Sequence, residues 1–185
     1  MKPVSRMTVG ELAAYVAGHL GERGLPVVLS GGACVTIYSR GEYVSMDLDF
    51  VPTGLTARRR LREALAEIGF TPRGRCFAHP DTDHFLDFPA GLPALGRQPV
   101  REPRTLEFPT GTLRLLSPTD CVKDRLANYY YFADRQCLHQ ALLVVRSENV
   151  DLDEVEQWSL DENQMKAFEA IKDDLHRAKG EDKKP

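Results

Sequence analysis

The chain has little of what marks several broad protein classes. No apolar run approaches the roughly 20 residues needed to cross a bilayer, and the first residues, MKPVSRMTVGELAAY, hold no apolar stretch of the signal-peptide kind. Both absences lead to the expectation of a cytoplasmic protein with no membrane partner. Cysteine is scarce: Cys34, Cys76, Cys121 and Cys137 are the four, and none stands in a CxxC pair. That spacing argues against structural zinc and against a secreted disulfide framework, leaving buried reduced thiols as the expectation. Neither sign of charge dominates, with 24 Lys+Arg against 27 Asp+Glu for a net charge of −3. Such a chain is not a general nucleic-acid binder, because nonspecific affinity grows with the number of phosphates neutralised. Long repeats and low-complexity segments are also missing.

What is present is an uneven distribution of charge and one unusual stretch. Residues 56–114 carry ten Lys/Arg against seven Asp/Glu, whereas 120–185 carry ten against fifteen. The middle of the chain can therefore meet a polyanion even though the whole cannot. The unusual stretch is SGGACVTIYSRGEYVSMDLDFV, residues 30–51. Val27-Val28-Leu29 is a short β-branched run halted by Ser30-Gly31-Gly32, and an apolar segment follows as a helix. A helix opening on glycines offers free backbone N–H groups to phosphate oxygens, and any Cβ there would hold a phosphate away. In the next strand, residues two apart share a face about 6.6 Å apart. Asp47 and Asp49 then lie on one side, with Met46, Leu48 and Phe50 on the apolar, core-facing side. Two carboxylates so placed repel by about 2 kcal/mol at an effective dielectric near 20. A hard divalent cation, Mg²⁺ or Mn²⁺, offsets that repulsion. An isolated Asp-x-Asp would also suit an edge strand facing water; the glycine pair upstream sets this one apart.

This order of glycine pair, short helix and Asp-x-Asp resembles the nucleotidyltransferases related to DNA polymerase beta. It looks most like their minimal bacterial branch, the abortive-infection and MenA-type toxins. The resemblance implies an α+β nucleotidyltransferase fold, a mixed sheet flanked by helices, over residues 1–116. A C-terminal helical bundle over 117–178 and a disordered tail over 179–185 would follow. It implies that Ser30, Gly31 and Gly32 contact the phosphates of an NTP, and that Asp47 and Asp49 hold Mg²⁺ or Mn²⁺. Fourteen residues separate Gly32 from Asp47, slightly long for the pattern, which suggests an added turn at Arg40-Gly41-Glu42. Gly32 also stands where many relatives carry a phosphate-binding Ser.

Elsewhere, Thr8 and Glu11 have capping-box spacing before Leu12, Val16 and Leu20, so a helix opens the chain. A helix over 57–68, capped by Thr56, buries Leu61, Leu65 and Ile68 and ends at Gly69. Arg58, Arg59, Arg60 and Arg62 crowd its first turns, where the helix dipole disfavours cations, and this hints at an anionic partner. A hairpin about Arg73-Gly74 precedes a central strand over 84–88 and a break over 89–93. On that strand Asp87 is an acid flanked by Leu86 and Phe88. The resemblance puts a third metal-site carboxylate on just such a strand, placed to draw the proton from an attacking hydroxyl. Asp83 shares its face and is the fallback, while His79 and His84 suit backbone or solvent better than a hard cation. Strands over 105–108 and 112–116 read as paired edge strands. Ser117-Pro118 starts a helix carrying Lys123, Arg125 and the aromatic run 129–132, and further helices are expected over 134–147, 151–159 and 161–178. The resemblance matches Lys123 to a point charge on the triphosphate and Asp134 to a group that orients it.

The function implied is transfer of an NMP from an NTP to a hydroxyl acceptor, a tRNA end or a protein, with an antitoxin partner in control. A non-catalytic nucleotide- or partner-binding module of the same fold is the alternative, and an antitoxin-like scaffold is a third.

Overall fold

The computed structural model describes residues 2–54, 57–89, 94–100 and 102–181. Helix α1 (Val9–Glu22) starts where its signals lie: the Thr8 hydroxyl accepts the Glu11 N–H, and the Glu11 carboxylate accepts the Thr8 N–H at 2.8 Å. Its buried Leu12, Val16 and Leu20 serve the core. Strand β1 (Val27–Ser30), helix α2 (Gly31–Tyr38) and strand β2 (Asp47–Pro52) follow. The added turn is present, with φ of 53° at Arg40 and 88° at Gly41. Leu48 and Phe50 are fully buried as expected, but Met46 precedes the strand and is 47% exposed.

Helix α3 (Arg58–Ala66) buries Leu61 and Leu65; its expected cap, Thr56, lies outside the described residues. Strands β3 (Thr71–Arg73) and β4 (Cys76–Ala78) make the hairpin, and β5 (Phe85–Asp87) the central strand. Residues 90–93 of the expected break lie outside the described residues. A two-stranded ribbon that sequence reading missed, β6 (Ala94–Leu95) and β7 (Gln98–Pro99), follows. Strands β8 (Arg104–Phe108) and β9 (Gly111–Leu115) complete the sheet.

The main sheet runs β3-β4-β5-β2-β1-β9-β8. Strand β1 is antiparallel to β2 and parallel to β9, and β2 is parallel to β5. One expectation is corrected: β9 is interior, between β1 and β8, so that of these two strands β8 alone is an edge. Full burial of Leu113 and Leu115 follows from that position.

Helices α4 (Pro118–Phe132), α5 (Arg135–Ser147) and α6 (Leu152–Asp161) begin at Ser117, Asp134 and Asp151, whose side chains each accept a first-turn N–H. The single helix expected over 161–178 is instead two, α7 (Met165–Glu169) and α8 (Lys172–Glu181). Asn163 adopts a left-handed φ of 58° that ends α6, and the chain turns again at Ala170. Helix α8 also continues through Lys179 and Gly180, in the part expected to be disordered, while 182–185 lie outside the described residues. The result is an α+β architecture, a mixed sheet flanked by helices and followed by further helices. A single buried cluster joins Leu29, Phe50 and Leu115 to Val122, Leu126, Val144 and Trp158. No helix among the described residues is long and apolar enough to cross a membrane.

One buried hydrogen bond ties α2 to the entrance of α4: the Tyr38 hydroxyl donates to the Leu116 carbonyl at 2.5 Å. Burial raises the Tyr38 phenol well above its ordinary pKa, so it stays a donor. Tyr38→Phe leaves that carbonyl unsatisfied and is expected to cost about 1–2 kcal/mol, read as a lower urea midpoint with an unchanged m-value.

Candidate functional site

Strand register decides which side chains meet. Ser30 lies opposite Asp49 across β1 and β2, and Asp49 lies opposite Asp87 across β2 and β5. Neighbouring strands are about 4.8 Å apart, so two carboxylates stand side by side at the start of α2. Gly31 has φ +70°, and a Cβ built on it would fall 2.1 Å from Asp49 Oδ2. Only glycine lets the carboxylate lie against that backbone. The Ser30 hydroxyl donates to the Asp49 carbonyl at 3.3 Å and gives α2 no side-chain cap. The first N–H groups of α2 are thus left for an incoming anion.

A cavity of about 530 Å³ opens over this point, within the size range of small-molecule sites. Ser30, Gly31, Asp49 and Asp87 form its floor, Asp124 and Arg125 come from α4, and Arg58, Arg75, Phe88 and Pro89 complete the lining. Burial, helped by the nearby Asp87, Asp124 and Asp47 charges and opposed by Arg125, pushes Asp49 up to about 6. Asp87 Oδ1 accepts the Phe88 N–H at 2.9 Å, and Oδ2 lies 3.6 Å from the Arg75 guanidinium.

The other expected residues fall elsewhere. Asp47 precedes Asp49 on the same strand face but is exposed and does not line the cavity. Gly32 abuts the 43–45 loop, where a Cβ would sit 2.9 Å from Ser45 Oγ, so its lack of a side chain serves packing. Lys123 does not line the cavity either. It is 1% exposed, 2.6 Å from Glu154, 3.6 Å from Asp120 and 3.4 Å from Gln98, which makes it a tie between α4 and α6. Asp134 caps α5, accepting from the Gln136 and Cys137 N–H groups. The Cys137 thiol, donating to it, and those two backbone bonds hold its carboxyl below the ordinary value. The fallback Asp83 is exposed and outside the cavity. His79 accepts the Asp81 N–H, and His84 reaches the Met46 carbonyl at 3.3 Å.

The cation that α4 does bring to the cavity is Arg125. Its guanidinium donates to Asp124 at 2.5 and 3.0 Å and to the buried Gln140 at 3.1 Å. Burial alone would lower its pKa, but Asp124 together with Cys121 and Cys137 more than offsets this and the group is firmly charged. The sequence held one signal for it: Arg125 is two residues from Lys123, on the same helix.

Among the described residues, no three His, Cys, Asp or Glu side chains are gathered into a ready-made metal cluster. The chemistry of the donors nevertheless suits a hard divalent cation: two adjacent carboxylates, one with its pKa raised by burial and by its like-charged neighbours, with Asp47 along the same face.

No family model matches the sequence, and no curated protein matches it significantly. Solved structures do resemble it. An antigenic nucleotidyltransferase-like protein from Paracoccidioides brasiliensis superposes with a TM-score of 0.63 at 12% identity, covering 95% of each chain. The solution structure of the antibiotic-resistance factor ANT(2'')-Ia gives 0.50 at 18% identity, over 91% of this chain and 95% of that one. ANT(2'')-Ia with adenylyl-2''-tobramycin gives 0.50 at 19%, over 84% and 94%. At such identities the likeness establishes the fold: this chain has the nucleotidyltransferase fold.

The raised Asp49 carboxyl gives a pH-dependent stability. With its folded pKa near 6 and its unfolded value near 3.9, the folded state holds the extra proton between them. Its contribution is full below about pH 4 and lost as pH rises through about 6. In the presence of EDTA, Asp49→Asn is expected to be more stable than wild type at about pH 8, by on the order of 2 kcal/mol, with the gap closing in acid. Thermal melts across pH read this directly, and Mg²⁺ at about pH 8 should raise the melting temperature of the wild type only.

Proposed function

We propose that this protein is a metal-dependent nucleotidyltransferase that moves an NMP from an NTP to a hydroxyl acceptor. The observation that carries this reading is the meeting of Asp49 and Asp87 beside Gly31, in one cavity with Arg125. The uncapped start of α2, with Ser30 and Gly31, receives phosphate oxygens. Asp49 and Asp87, with Asp47, would hold Mg²⁺ or Mn²⁺, which when bound neutralises the triphosphate and eases departure of its leaving group. Arg125 faces the triphosphate with a fixed, charged fork, the role that the resemblance assigned to Lys123. Asp87 takes the proton of the acceptor hydroxyl. A new bond forms from that oxygen to the α-phosphorus, the α–β bridging bond breaks, and pyrophosphate leaves. ANT(2'')-Ia, whose complex holds an adenylyl group joined to tobramycin, supports this type of transfer on this fold.

The acceptor we infer is a tRNA end or a protein hydroxyl. The setting we infer is a toxin-antitoxin or phage-defence system in the cytoplasm, with an antitoxin protein as partner. A second reading, a nucleotide-binding module without chemistry, draws on the absence of a ready-made cluster of three metal-binding side chains among the described residues.

Incubation with α-labelled NTPs, Mg²⁺ and a cell extract is expected to label an acceptor. Asp49→Ala and Asp87→Ala should each lower the rate at least a hundredfold. Nucleotide binding with no Mg²⁺-dependent transfer would favour the module instead. Induced expression should arrest growth for the wild type and not for Asp49→Ala. Between the two α4 cations, Arg125→Met is expected to raise the KM for NTP roughly tenfold. Lys123→Met should lower the melting temperature and leave NTP affinity in place.

A further inference from the structure

Both oxygens of Asp87 have partners within the protein. Oδ1 accepts the Phe88 N–H at 2.9 Å, and Oδ2 faces the Arg75 guanidinium at 3.6 Å. The β3–β4 hairpin, which turns at Gly74 with φ of +64°, puts Arg75 there. Phe77 lies opposite Leu86 in the antiparallel pair of β4 and β5, so the residue two before Phe77 comes level with Phe88, next to Asp87. Arg58 opens α3 and donates to the Arg75 carbonyl at 2.6 Å, which pins the backbone of residue 75 to the helix start. The Arg75 side chain itself is 86% exposed, against 17% for Asp87. Its root is fixed and its tip is loose.

Stability does not account for this contact. At 3.6 Å it is longer than a hydrogen bond, and an ion pair with one partner so open adds little to folding. What it does is stand at an oxygen that the site needs. With Oδ1 held by the backbone, Oδ2 is the oxygen with room for a hard cation, whose bonds to carboxylates are about 2.1 Å long. A dication there and the guanidinium would be two like charges at most about 5.7 Å apart on one carboxylate. The neighbouring arginines have other partners. Arg58 lies 5.8 Å from the centre of the Phe77 ring, Arg73 lies 5.4 Å from that of Phe85, and Arg125 is bonded to Asp124 and Gln140. Among the described residues, Arg75 is the one cation paired with Asp87.

We propose that Arg75 is a built-in counter-ion of Asp87 that a divalent cation must displace, so that residue 75 sets the metal concentration at which the site fills. This rests on the metal-dependent reading above and adds to it a regulation of that site by the chain's own cation. A weak contact suits the task, because it is held by charge alone. A single positive charge gains nothing by the exchange, whereas a double one does, so the same side chain favours divalent over monovalent ions. Once displaced, the guanidinium has open solvent to move into, and its backbone stays anchored by Arg58.

Mn²⁺ alone is the probe, because its free aqueous form is counted by electron paramagnetic resonance without nucleotide or turnover. Titrations compare the wild type with Arg75→Gln, Arg75→Lys, Arg73→Gln and Asp87→Asn. Arg75→Gln is expected to tighten Mn²⁺ binding about fivefold, and Arg75→Lys, which keeps the charge, to stay within about twofold of wild type. Arg73→Gln removes the same charge from the same hairpin without touching Asp87, and should also stay within about twofold. Asp87→Asn should weaken binding about tenfold. In EDTA the melting temperatures of both Gln variants should lie within about 2 °C of wild type, which separates the gain in affinity from any change in folding. With NTP present, the Mg²⁺ concentration for half-maximal pyrophosphate release should fall in Arg75→Gln by the same factor as the Mn²⁺ affinity rises. Equal Mn²⁺ affinity in wild type and Arg75→Gln, with Asp87→Asn weakened, overturns the proposal and leaves the metal site in place; so does an equal gain in Arg73→Gln. Tighter Mn²⁺ in Arg75→Gln with no nucleotidyl transfer by any of these proteins upholds the counter-ion while removing the transferase reading. No Mn²⁺ binding by any of them removes the metal site and its counter-ion together.

Discussion

The contact on which this structure turns is that of the Asp49 carboxylate against the bare Cα of Gly31. A side chain at residue 31 would sit 2.1 Å from a carboxylate oxygen, so the helix start and the acid share their space only because glycine is there. The same contact fixes everything around it. Strand β2 must begin beside the mouth of α2, which the antiparallel register Ser30 to Asp49 achieves. Strand β5 must then run parallel to β2 to set Asp87 alongside. Leu48, Phe50 and Leu86 hold that register from the buried face, since a slip of one residue would send the acids into the core and the apolar side chains outward.

A carboxylate so placed is electrically expensive, and its neighbours show how the cost is divided. Burial and the nearby acids push Asp49 toward its neutral form, while Arg125 pulls it back. Arg125 is not free to do so without limit, because its guanidinium is hydrogen-bonded to Asp124 and Gln140. The cavity lining thus contains three aspartates and three arginines, near balance but with Asp49 still undercompensated. An added cation is what such an imbalance accepts, and an added polyphosphate is what the arginines accept. The two complement each other better than either would alone.

Most of the floor of the site was legible in the sequence, because it is written in local terms. Alternation in Asp47-Leu48-Asp49-Phe50, the glycine pair and the flanked Asp87 each state a strand face or a turn by themselves. The walls were not legible. Which of Lys123 and Arg125 faces the cavity depends on the rotation of α4, and that is set by long-range packing of Val122 and Leu126 and by Gln140 on another helix. A lysine with two acids in reach looks like a phosphate ligand in one dimension and proves to be a buried tie in three. Gly32 misled in the same way, its bareness being needed by Ser45. The β6–β7 ribbon escaped because two-residue strands carry no period, and its anchoring bonds, from Trp158 to the Leu95 carbonyl and from the Arg97 N–H to Glu162, span some 65 residues of chain.

These long-range ties bear on how the helical part should be regarded. A boundary drawn at residue 116 separates strands from helices along the chain, yet the cavity takes side chains from both sides of it. Arg125 reaches the floor only because Asp124 beside it and Gln140 on α5 hold its guanidinium there, and the Tyr38 bond to Leu116 fixes where α4 begins. Hence α4 brings Arg125 and Asp124 to the cavity, while β2 and β5 bring Asp49 and Asp87. Loosening α4 from α2 would draw Arg125 away from Asp49 without disturbing a single strand, and on the proposed reading a polyphosphate bound between them would work in the opposite direction. On that reading site assembly and ligand binding would be one equilibrium: the tighter an anion were held, the more firmly the helices would be seated on the sheet.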